Sequence, residues 1–338
     1  MEVVNDIQQR IFDAIKTQLP PGERLSNVLQ ETLHLSQDAV YRRLRGDVPL
    51  TIYETQILCK TFDVSFDGHG SLQEGKVTFN YNPLDSFAMN IRSWLGGMRD
   101  ILAAIKQLED IHVTVSINES PMFQMLNLPH LTRFKFFFWA KTFLESPEFK
   151  DQKFKREKIE RDILNVGIEA LNLYNSIPTT EIYGPETLRG TLRQIEYYFN
   201  SHVFEDPAYA LELLDNLVEL LHHMKKQAEV GRKFTHGNEP VASGNELTMY
   251  YVDTFIHDNT YLLDWNGGSS VYFAHNVLNY LGTTDPYYSK ESKYILQKLI
   301  TNSSQISEVN VKERERFFSN MERTIMNFRR KVESELQF

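Results

Sequence analysis

Residues 25–66 read LSNVLQETLHLSQDAVYRRLRGDVPLTIYETQILCKTFDVSF, and this stretch decides the fold of the N-terminal part of the chain. Leu29 and Leu33 are four residues apart, and so are Val40 and Leu44. Residues at this spacing lie on one face of a helix, so each pair can form the inner face of a short helix. The pattern therefore predicts two helices that cross around a tight turn, which is a helix-turn-helix.

Capping residues set the ends of the predicted helices in this part of the chain. The run LPPG at 19–22 ends the first helix, because proline cannot continue a helix and glycine tolerates the reversal. Ser36 is placed to cap the start of the third helix, and Gly46 ends that helix. Thr51 and Glu54 have the spacing of a capping box, which predicts the start of a fourth helix.

Polar side chains face away from the apolar side of the third predicted helix. Steps of roughly 100° per residue place Asp38, Tyr41, Arg42 and Arg45 outward, and Gln37 lies at the exposed start. In a helix-turn-helix, the N-terminal part of this helix enters the major groove of DNA. Gln can form two hydrogen bonds with an adenine edge, and Arg can do so with guanine. Asp38 can accept a hydrogen bond from cytosine or simply stabilise the helix start.

Other residues of the two motif helices are predicted to contact the DNA backbone. Arg43 and Arg45 are better placed there, where a contact positions the protein without reading the sequence. Ser26 and Asn27, in the first motif helix, are predicted as further backbone contacts. An ordinary helical hairpin with a solvated basic face is the open alternative, since runs of charge are usually solvated.

The segment matches the pattern of a known family in residue type and spacing. The matching residues are Leu29, Leu33, Leu35, Ser36, Val40, Leu44 and Gly46, followed in the next helix by Leu50, Ile57, Cys59, Phe62, Val64 and Phe66. On these positions the segment resembles the XRE family of transcriptional regulators, the lambda-repressor-like helix-turn-helix group. The C-terminal part also resembles the long companion region of some regulators of this type.

The resemblance implies a lambda-repressor-like DNA-binding domain over 1–66, in a protein that regulates transcription by binding specific double-stranded DNA. By the family's pattern, the base-reading residues are Gln37, Asp38, Tyr41 and Arg42. A single module of this kind covers only a few base pairs, so we expect a homodimer on a palindromic operator.

Two residues depart from the family's pattern at the place where the helices cross. Gln30 stands where the family prefers alanine, and His34 stands where it prefers glycine. Both side chains are larger than the ones they replace. We therefore expect a wider turn between the two motif helices than is usual for the family.

The charge balance excludes a protein that coats nucleic acid. The net charge is −9, and residues 1–63 hold 7 Lys and Arg against 9 Asp and Glu. Sequence-independent affinity for DNA comes from Lys and Arg that neutralise phosphates. A nearly neutral N-terminal part on an acidic body favours sequence-selective binding through a local patch.

The rest of the chain predicts a mainly α protein with a few short strands. Residues 67–75 are rich in glycine and polar residues and are interpreted as a linker. The region 76–338 is expected to sense a signal or to dimerise. It divides into a βαβ unit at 76–118, a helical part at 131–230, short strands within 248–275 and a terminal helix at 310–335.

Several other classes of site lack any motif. The single cysteine, Cys59, excludes an intramolecular disulfide and a cysteine zinc site. No phosphate-binding loop, dinucleotide fingerprint, serine elbow or zincin motif occurs, so we predict no enzyme, cofactor or metal. The N-terminus does not read as a signal peptide, and the longest apolar cluster, at 136–140, is too short to span a bilayer. We therefore expect a cytoplasmic protein with no membrane partner.

Two other functions remain open. The chain can be a helical protein-interaction adaptor with a vestigial helix-turn-helix, which the weak charge of its N-terminal part keeps open. Alternatively, the C-terminal part can be an enzymatic domain or one regulated by an unknown effector, built on the βαβ unit and the late strands.

Overall fold

The chain forms two compact units, Met1–Thr78 and Phe79–Phe338. The computed structural model describes residues 2–20, 22–62, 64, 66, 76–81, 91–119, 121–155, 159–240, 245–253, 259–276 and 278–337. The predicted linker at 67–75 lies outside the described residues.

The first unit contains four helices in its described residues. They are α1 (Glu2–Gln18), α2 (Leu25–Leu33), α3 (Gln37–Leu44) and α4 (Ile52–Thr61). Each contributes buried apolar side chains to one small core, made by Ile11, Phe12, Ile15, Leu29, Val40, Leu58 and Val64. Leu33 and Leu44, also predicted for the inner face, are partly buried against this core.

The predicted caps of the first unit are confirmed. The Ser36 hydroxyl accepts a hydrogen bond from the Ala39 N–H at 3.4 Å and starts α3. At the start of α4, the Thr51 hydroxyl accepts from the Glu54 N–H, and the Glu54 carboxylate accepts from the Thr51 N–H. These local bonds satisfy N–H groups that have no partner within the helix.

The side chain of Gln8 ties α1 to the segment that joins α3 and α4. Its amide donates to the carbonyls of Arg43 at 2.7 Å and Val48 at 3.3 Å, and its oxygen accepts from the Leu50 N–H at 2.6 Å. Gln8 is only 7% exposed, so these bonds compensate its burial. They fix the chain that leaves the end of α3.

The second unit contains both helices and strands. Its described helices are α5 (Ile91–Lys106), α6 (Met122–Met125), α7 (Pro129–Thr142), α8 (Arg161–Asn175), α9 (Arg189–Asn200), α10 (Tyr209–Val230), α11 (Pro286–Thr301) and α12 (Val311–Leu336). Its described strands are β1 (Asn80–Tyr81), β2 (His112–Ile117), β3 (Thr179–Tyr183), β4 (Leu247–Tyr251), β5 (Thr260–Trp265), β6 (Gly268–Asn276), β7 (Asn279–Thr283) and β8 (Ser304–Gln305).

These eight strands form one mixed sheet in the order β1-β7-β6-β5-β2-β3-β4-β8. The central strands β2, β3 and β4 are parallel, with Val113 opposite Thr179 and Thr179 opposite Leu247. The remaining neighbours pair antiparallel. Parallel neighbours need long crossovers, which the helices between β2 and β4 provide.

Helices cover both faces of the sheet. Ile182 of β3 packs with Leu296 of α11 in a small apolar cluster on one face. Its neighbour Tyr183 belongs to the large core on the other face, because successive side chains in a strand point to opposite sides. The aromatic run of α7 lies in that large core, where Phe134 and Phe137 are fully buried.

The prediction of a mainly α fold is wrong, because the second unit is built on an eight-stranded mixed sheet. The region 131–230 was predicted as helical throughout, yet it contains β3, which is only five residues long. A short strand buried on both faces has no alternation of polar and apolar residues, so periodicity cannot distinguish it from a piece of helix. The strands β7 and β8 were also not predicted.

The βαβ unit predicted over 76–118 is not formed. β1 pairs antiparallel with β7 at one edge of the sheet, whereas β2 lies between β5 and β3. β5 and β6 form a hairpin, in which Trp265 pairs with Gly268 across a two-residue turn. Gly267 has a φ of 108°, a conformation that a side chain would strain.

Candidate nucleic-acid interface

Helix α3 holds the four predicted base contacts on its outer surface. Val40 is 1% exposed and anchors the inner face of the helix in the core. Gln37, Asp38, Tyr41 and Arg42 are all exposed. The short helix thus separates one buried residue from a contiguous polar surface, which is the arrangement that the helical spacing predicted.

The start of α3 is organised to present that surface. Ser36 caps the helix and Asp38 lies in its first turn, where a negative charge is favoured by the helix dipole. Gln37 is the first helical residue and is exposed. Its amide is therefore carried by a fixed backbone and remains open to solvent.

Arg42 is the exposed arginine of α3 whose side chain makes no hydrogen bond or ion pair with any residue that the structure describes. It lies one turn after Asp38, so both project from the same side of the helix. Its guanidinium, with donors in a fixed planar fork, is available for a partner outside the chain.

Arg43 has a different environment, although it was predicted as a contact to the DNA backbone. Its Nη2 and Nε donate to the Glu54 carboxylate at 2.7 and 3.2 Å, and its Nη1 donates to the Ala39 carbonyl at 3.1 Å. Its side chain is 13% exposed. The guanidinium is thus committed to joining α3 to α4, and we assign it a structural role in place of a phosphate contact.

The Glu54 carboxylate both caps α4 and pairs with Arg43 of α3. Burial raises the pKa of its carboxyl, but hydrogen bonds from Thr51 and Arg43 outweigh that effect, so the pKa lies below its usual value. The carboxylate therefore stays ionised near neutral pH, where it both caps α4 and holds Arg43.

Arg45 lies at the end of α3 and is exposed. It forms an ion pair with Asp47 at 3.0 Å, in which the side chains are 63% and 51% exposed. Exposed pairs of this kind contribute little free energy. A phosphate can therefore replace Asp47 as the partner of Arg45 at low cost.

The start of α2 offers additional groups. Ser26 is partly buried and Asn27 is exposed, both in the first turn. No side chain caps this helix, and Arg24 at the N-cap position is exposed. Helix starts with free N–H groups favour phosphate. Arg24 was not among the predicted residues, although a basic residue directly before a helix start can be recognised in the sequence.

The turn between α2 and α3 closes in spite of the two departures from the family pattern. His34 adopts φ 52° and ψ 42°, the left-handed conformation that glycine prefers. The Leu35 N–H donates to the Gln30 carbonyl at 3.3 Å. The wider turn was expected because of the size of these side chains, but both are exposed and do not enter the crossing.

An apolar patch lies at the start of α4. Ile52 is 91% exposed and Tyr53 is 71% exposed. They directly precede Glu54, which is bonded to Arg43 of α3. Two large exposed apolar side chains on a small unit are a feature that sequence periodicity did not reveal.

The described residues show no sign of a metal site or a membrane span. No group of three or more His, Cys, Asp or Glu side chains there is placed to hold a metal ion. Within the same residues, no helix combines the length and the apolar character needed to cross a membrane. Cys59 is partly buried, and burial raises the pKa of its thiol. No family model, curated protein or solved structure matches the chain.

Proposed function

We propose that the first unit binds double-stranded DNA with α3 in the major groove, and that the chain is a sequence-specific transcriptional regulator. The observation that carries the proposal is the anchoring of α3. Val40 and the Arg43–Glu54 pair fix the helix from its inner side, and its polar residues remain outside with free hydrogen-bonding groups. A rigid helix with exposed donors and acceptors is what base reading in the groove requires.

The roles of the outer residues follow from their chemistry. Arg42 would donate two hydrogen bonds to a guanine edge, and Gln37 would pair with an adenine edge. Asp38 would accept from the amino group of a cytosine. Tyr41 is 42% exposed and offers a ring that can pack against a thymine methyl group.

Backbone contacts would come from residues around this helix. Arg45 would exchange Asp47 for a phosphate, and Ser26 and Asn27 would bind a second phosphate at the uncapped start of α2. Arg24 would add a positive charge at the same place. With few phosphates neutralised, the affinity would depend on reading the correct sequence.

The assembly that we propose is a homodimer on a palindromic operator. One helix of eight residues reads only a short half-site, so a second copy is needed to reach useful affinity. The second unit would supply the dimer contact or respond to a signal.

A selection from a pool of random duplexes with the intact chain tests this function. We expect enrichment of a two-fold symmetric sequence, and we expect Arg42→Ala to lose that enrichment. Lys16→Ala, which removes an exposed positive charge from α1, is the matched control and should enrich the same sequence. Failure of the wild-type chain to enrich any sequence at low salt would contradict the proposal.

A protein-interaction adaptor is the second candidate, because Ile52 and Tyr53 form an exposed apolar patch. On this alternative the patch binds another protein and α3 makes no base contact. Such binding would be lost in Ile52→Asp and retained in Arg42→Ala. If the duplex selection instead shows that enrichment requires Arg42 and does not require Ile52, the alternative is excluded.

A further inference from the structure

The second unit contains a cavity of about 310 Å³ between α5 and the sheet. Trp94, Gly97 and Ile101 of α5 line one side, and Leu263 of β5 and Tyr280 of β7 line the other. Cavities of this size are within the range used by proteins to bind small molecules. The cavity lies wholly in the unit that is not proposed to bind DNA.

The wall of the cavity is apolar and aromatic. Among the described residues that line it there is no charged side chain. Its polar groups are hydroxyls and amides, such as those of Ser93 and Asn80, which are exposed residues. A charged molecule would lose its hydration here without gaining a partner of opposite charge. The lining therefore selects an uncharged occupant.

A buried polar network holds one wall in place. Tyr174 lines the cavity, and its hydroxyl donates to the carboxylate of Glu181, which is fully buried. Lys233 donates to the carbonyls of Tyr174 at 2.8 Å and Ile177 at 2.6 Å. Tyr174 also stacks on Phe123, another lining residue, with ring centroids 4.2 Å apart. Because these groups are satisfied only in this geometry, the aromatic wall is preorganised.

The side of the cavity formed by α5 is fixed as well. The indole N–H of Trp94 donates to the Leu278 carbonyl at 2.8 Å, and the ring packs edge-on against Trp139 at 5.5 Å. Trp94 is therefore a rigid part of the lining, and it provides a fluorescent reporter in the cavity.

Two glycines lie next to each other in the middle of α5, and one of them borders the cavity. A Cβ added at Gly96 or at Gly97 would meet nothing within 4 Å. Of these two glycines, Gly97 lines the cavity. Glycine inside a helix costs about 1 kcal/mol relative to alanine, so neither residue helps the helix itself. Because Gly97 has no side chain, the space beside its Cα is part of the cavity.

We propose that this cavity binds an uncharged, mainly apolar small molecule, which packs against the apolar and aromatic lining and forms hydrogen bonds with the amide and hydroxyl groups at its edge. On this proposal the second unit is a ligand-binding domain. The inference does not depend on DNA binding by the first unit.

Fluorescence titration of the full chain with N-phenyl-1-naphthylamine, an uncharged aromatic probe, tests the proposal. We expect saturable binding of one probe per chain, with quenching of tryptophan emission. The sulfonated analogue 8-anilinonaphthalene-1-sulfonate should bind about tenfold more weakly or less, because its charge has no partner in the cavity.

Two matched variants locate the bound probe. Gly97→Leu fills the cavity and should weaken binding of the uncharged probe by about tenfold or more. Gly96→Leu adds the same side chain on the neighbouring residue and should leave binding unchanged. Leucine favours the helix over glycine, so thermal unfolding should confirm that both variants are folded.

Ile101→Lys gives a second readout if Gly97→Leu does not fold. Ile101 is 54% exposed at the cavity, so a lysine there is tolerated and brings a charge to the opening. We expect it to weaken binding of the uncharged probe. Absence of saturable binding, equal affinity for the two probes, or equal effects of the two glycine variants would each overturn the proposal.

Discussion

The guanidinium of Arg43 and the carboxylate of Glu54 form a two-pronged ion pair that joins α3 to α4, with N–O distances of 2.7 and 3.2 Å. Their side chains are 13% and 12% exposed. The same carboxylate closes the capping box of α4. One pair thus fixes the orientation of α3 relative to its neighbour in the core of the first unit.

Breaking this pair should loosen the first unit. We predict that Arg43→Ala lowers the free energy of unfolding by about 2 kcal/mol, because it leaves the mostly buried Glu54 carboxylate without its charged partner. Hydrogen exchange of the α3 and α4 amides in the full chain measures the effect. Arg42→Ala is the matched control and should change exchange by less than about 0.5 kcal/mol. Equal effects of the two variants would show that Arg43 is as solvated as Arg42.

The backbone of His34 gives an opposite prediction. Its φ of 52° is a conformation that glycine adopts without strain, so His34→Gly should stabilise the first unit by about 1 kcal/mol. Hydrogen exchange in α2 and α3 should slow accordingly. Gln30→Ala, a change on an exposed part of the same helix, should have a smaller effect. Faster exchange in His34→Gly would mean that the histidine side chain itself stabilises the turn.

Lys135 makes the stability of the second unit depend on pH. It is 4% exposed in α7, its Nζ donates to Gln194 at 2.7 Å, and burial lowers its pKa to about 7, although the charge of Glu119 acts in the other direction. The unfolded chain, with an ordinary lysine pKa, therefore binds more protons than the folded one between the two values. The contribution of Lys135 to stability falls as the pH is lowered from about 10 to about 7.

Lys135→Met should remove this dependence. Urea unfolding of the wild-type chain and the variant, followed by tryptophan fluorescence, should show a larger gain from Lys135→Met at pH 7 than at pH 9.5. Because the two pH values lie 2.5 units apart and one proton is involved, the difference is at most roughly 3 kcal/mol. Parallel curves at the two pH values would contradict the lowered pKa.

Arg45 should contribute to affinity without contributing to specificity. We predict that Arg45→Ala weakens binding to all duplexes and reduces the slope of log affinity against log salt by about 1. In the wild-type chain the Arg43 side chain is paired with Glu54 and not with solvent. Arg43→Ala should therefore leave that slope unchanged, apart from any effect on folding. Titrations of one duplex by fluorescence anisotropy at several salt concentrations provide the measurement. An unchanged slope for Arg45→Ala would remove it from the interface.

The helices of the first unit could be predicted because their determinants are local. Ser36 and Thr51 cap the helices that follow them, and Val40 shows its burial through spacing alone. The partner of Arg43 was missed because Glu54, eleven residues later, already had a local role in the capping box. Sequence spacing does not show that one carboxylate serves both a cap and a neighbouring helix.

The sheet of the second unit could not be predicted for a different reason. β3 is defined by its pairing with β2 and β4, and Thr179 lies opposite Val113 and Leu247, far away in the chain. Its own five residues carry no alternation. The cavity beside α5 could not be predicted either, because Gly97 borders a cavity only once the strands that face it are in place.

The most direct measurement of base reading by α3 is methylation interference on the duplex enriched by the intact chain. Dimethyl sulfate methylates guanine N7, the atom in the major groove to which the Arg42 guanidinium would donate. The proposal predicts that methylation of one guanine in each half-site blocks binding, with the two guanines related by the two-fold axis. It also predicts that Arg42→Ala binds methylated and unmethylated duplexes equally. Binding that is insensitive to methylation, or the same interference pattern in Arg42→Ala, would contradict it.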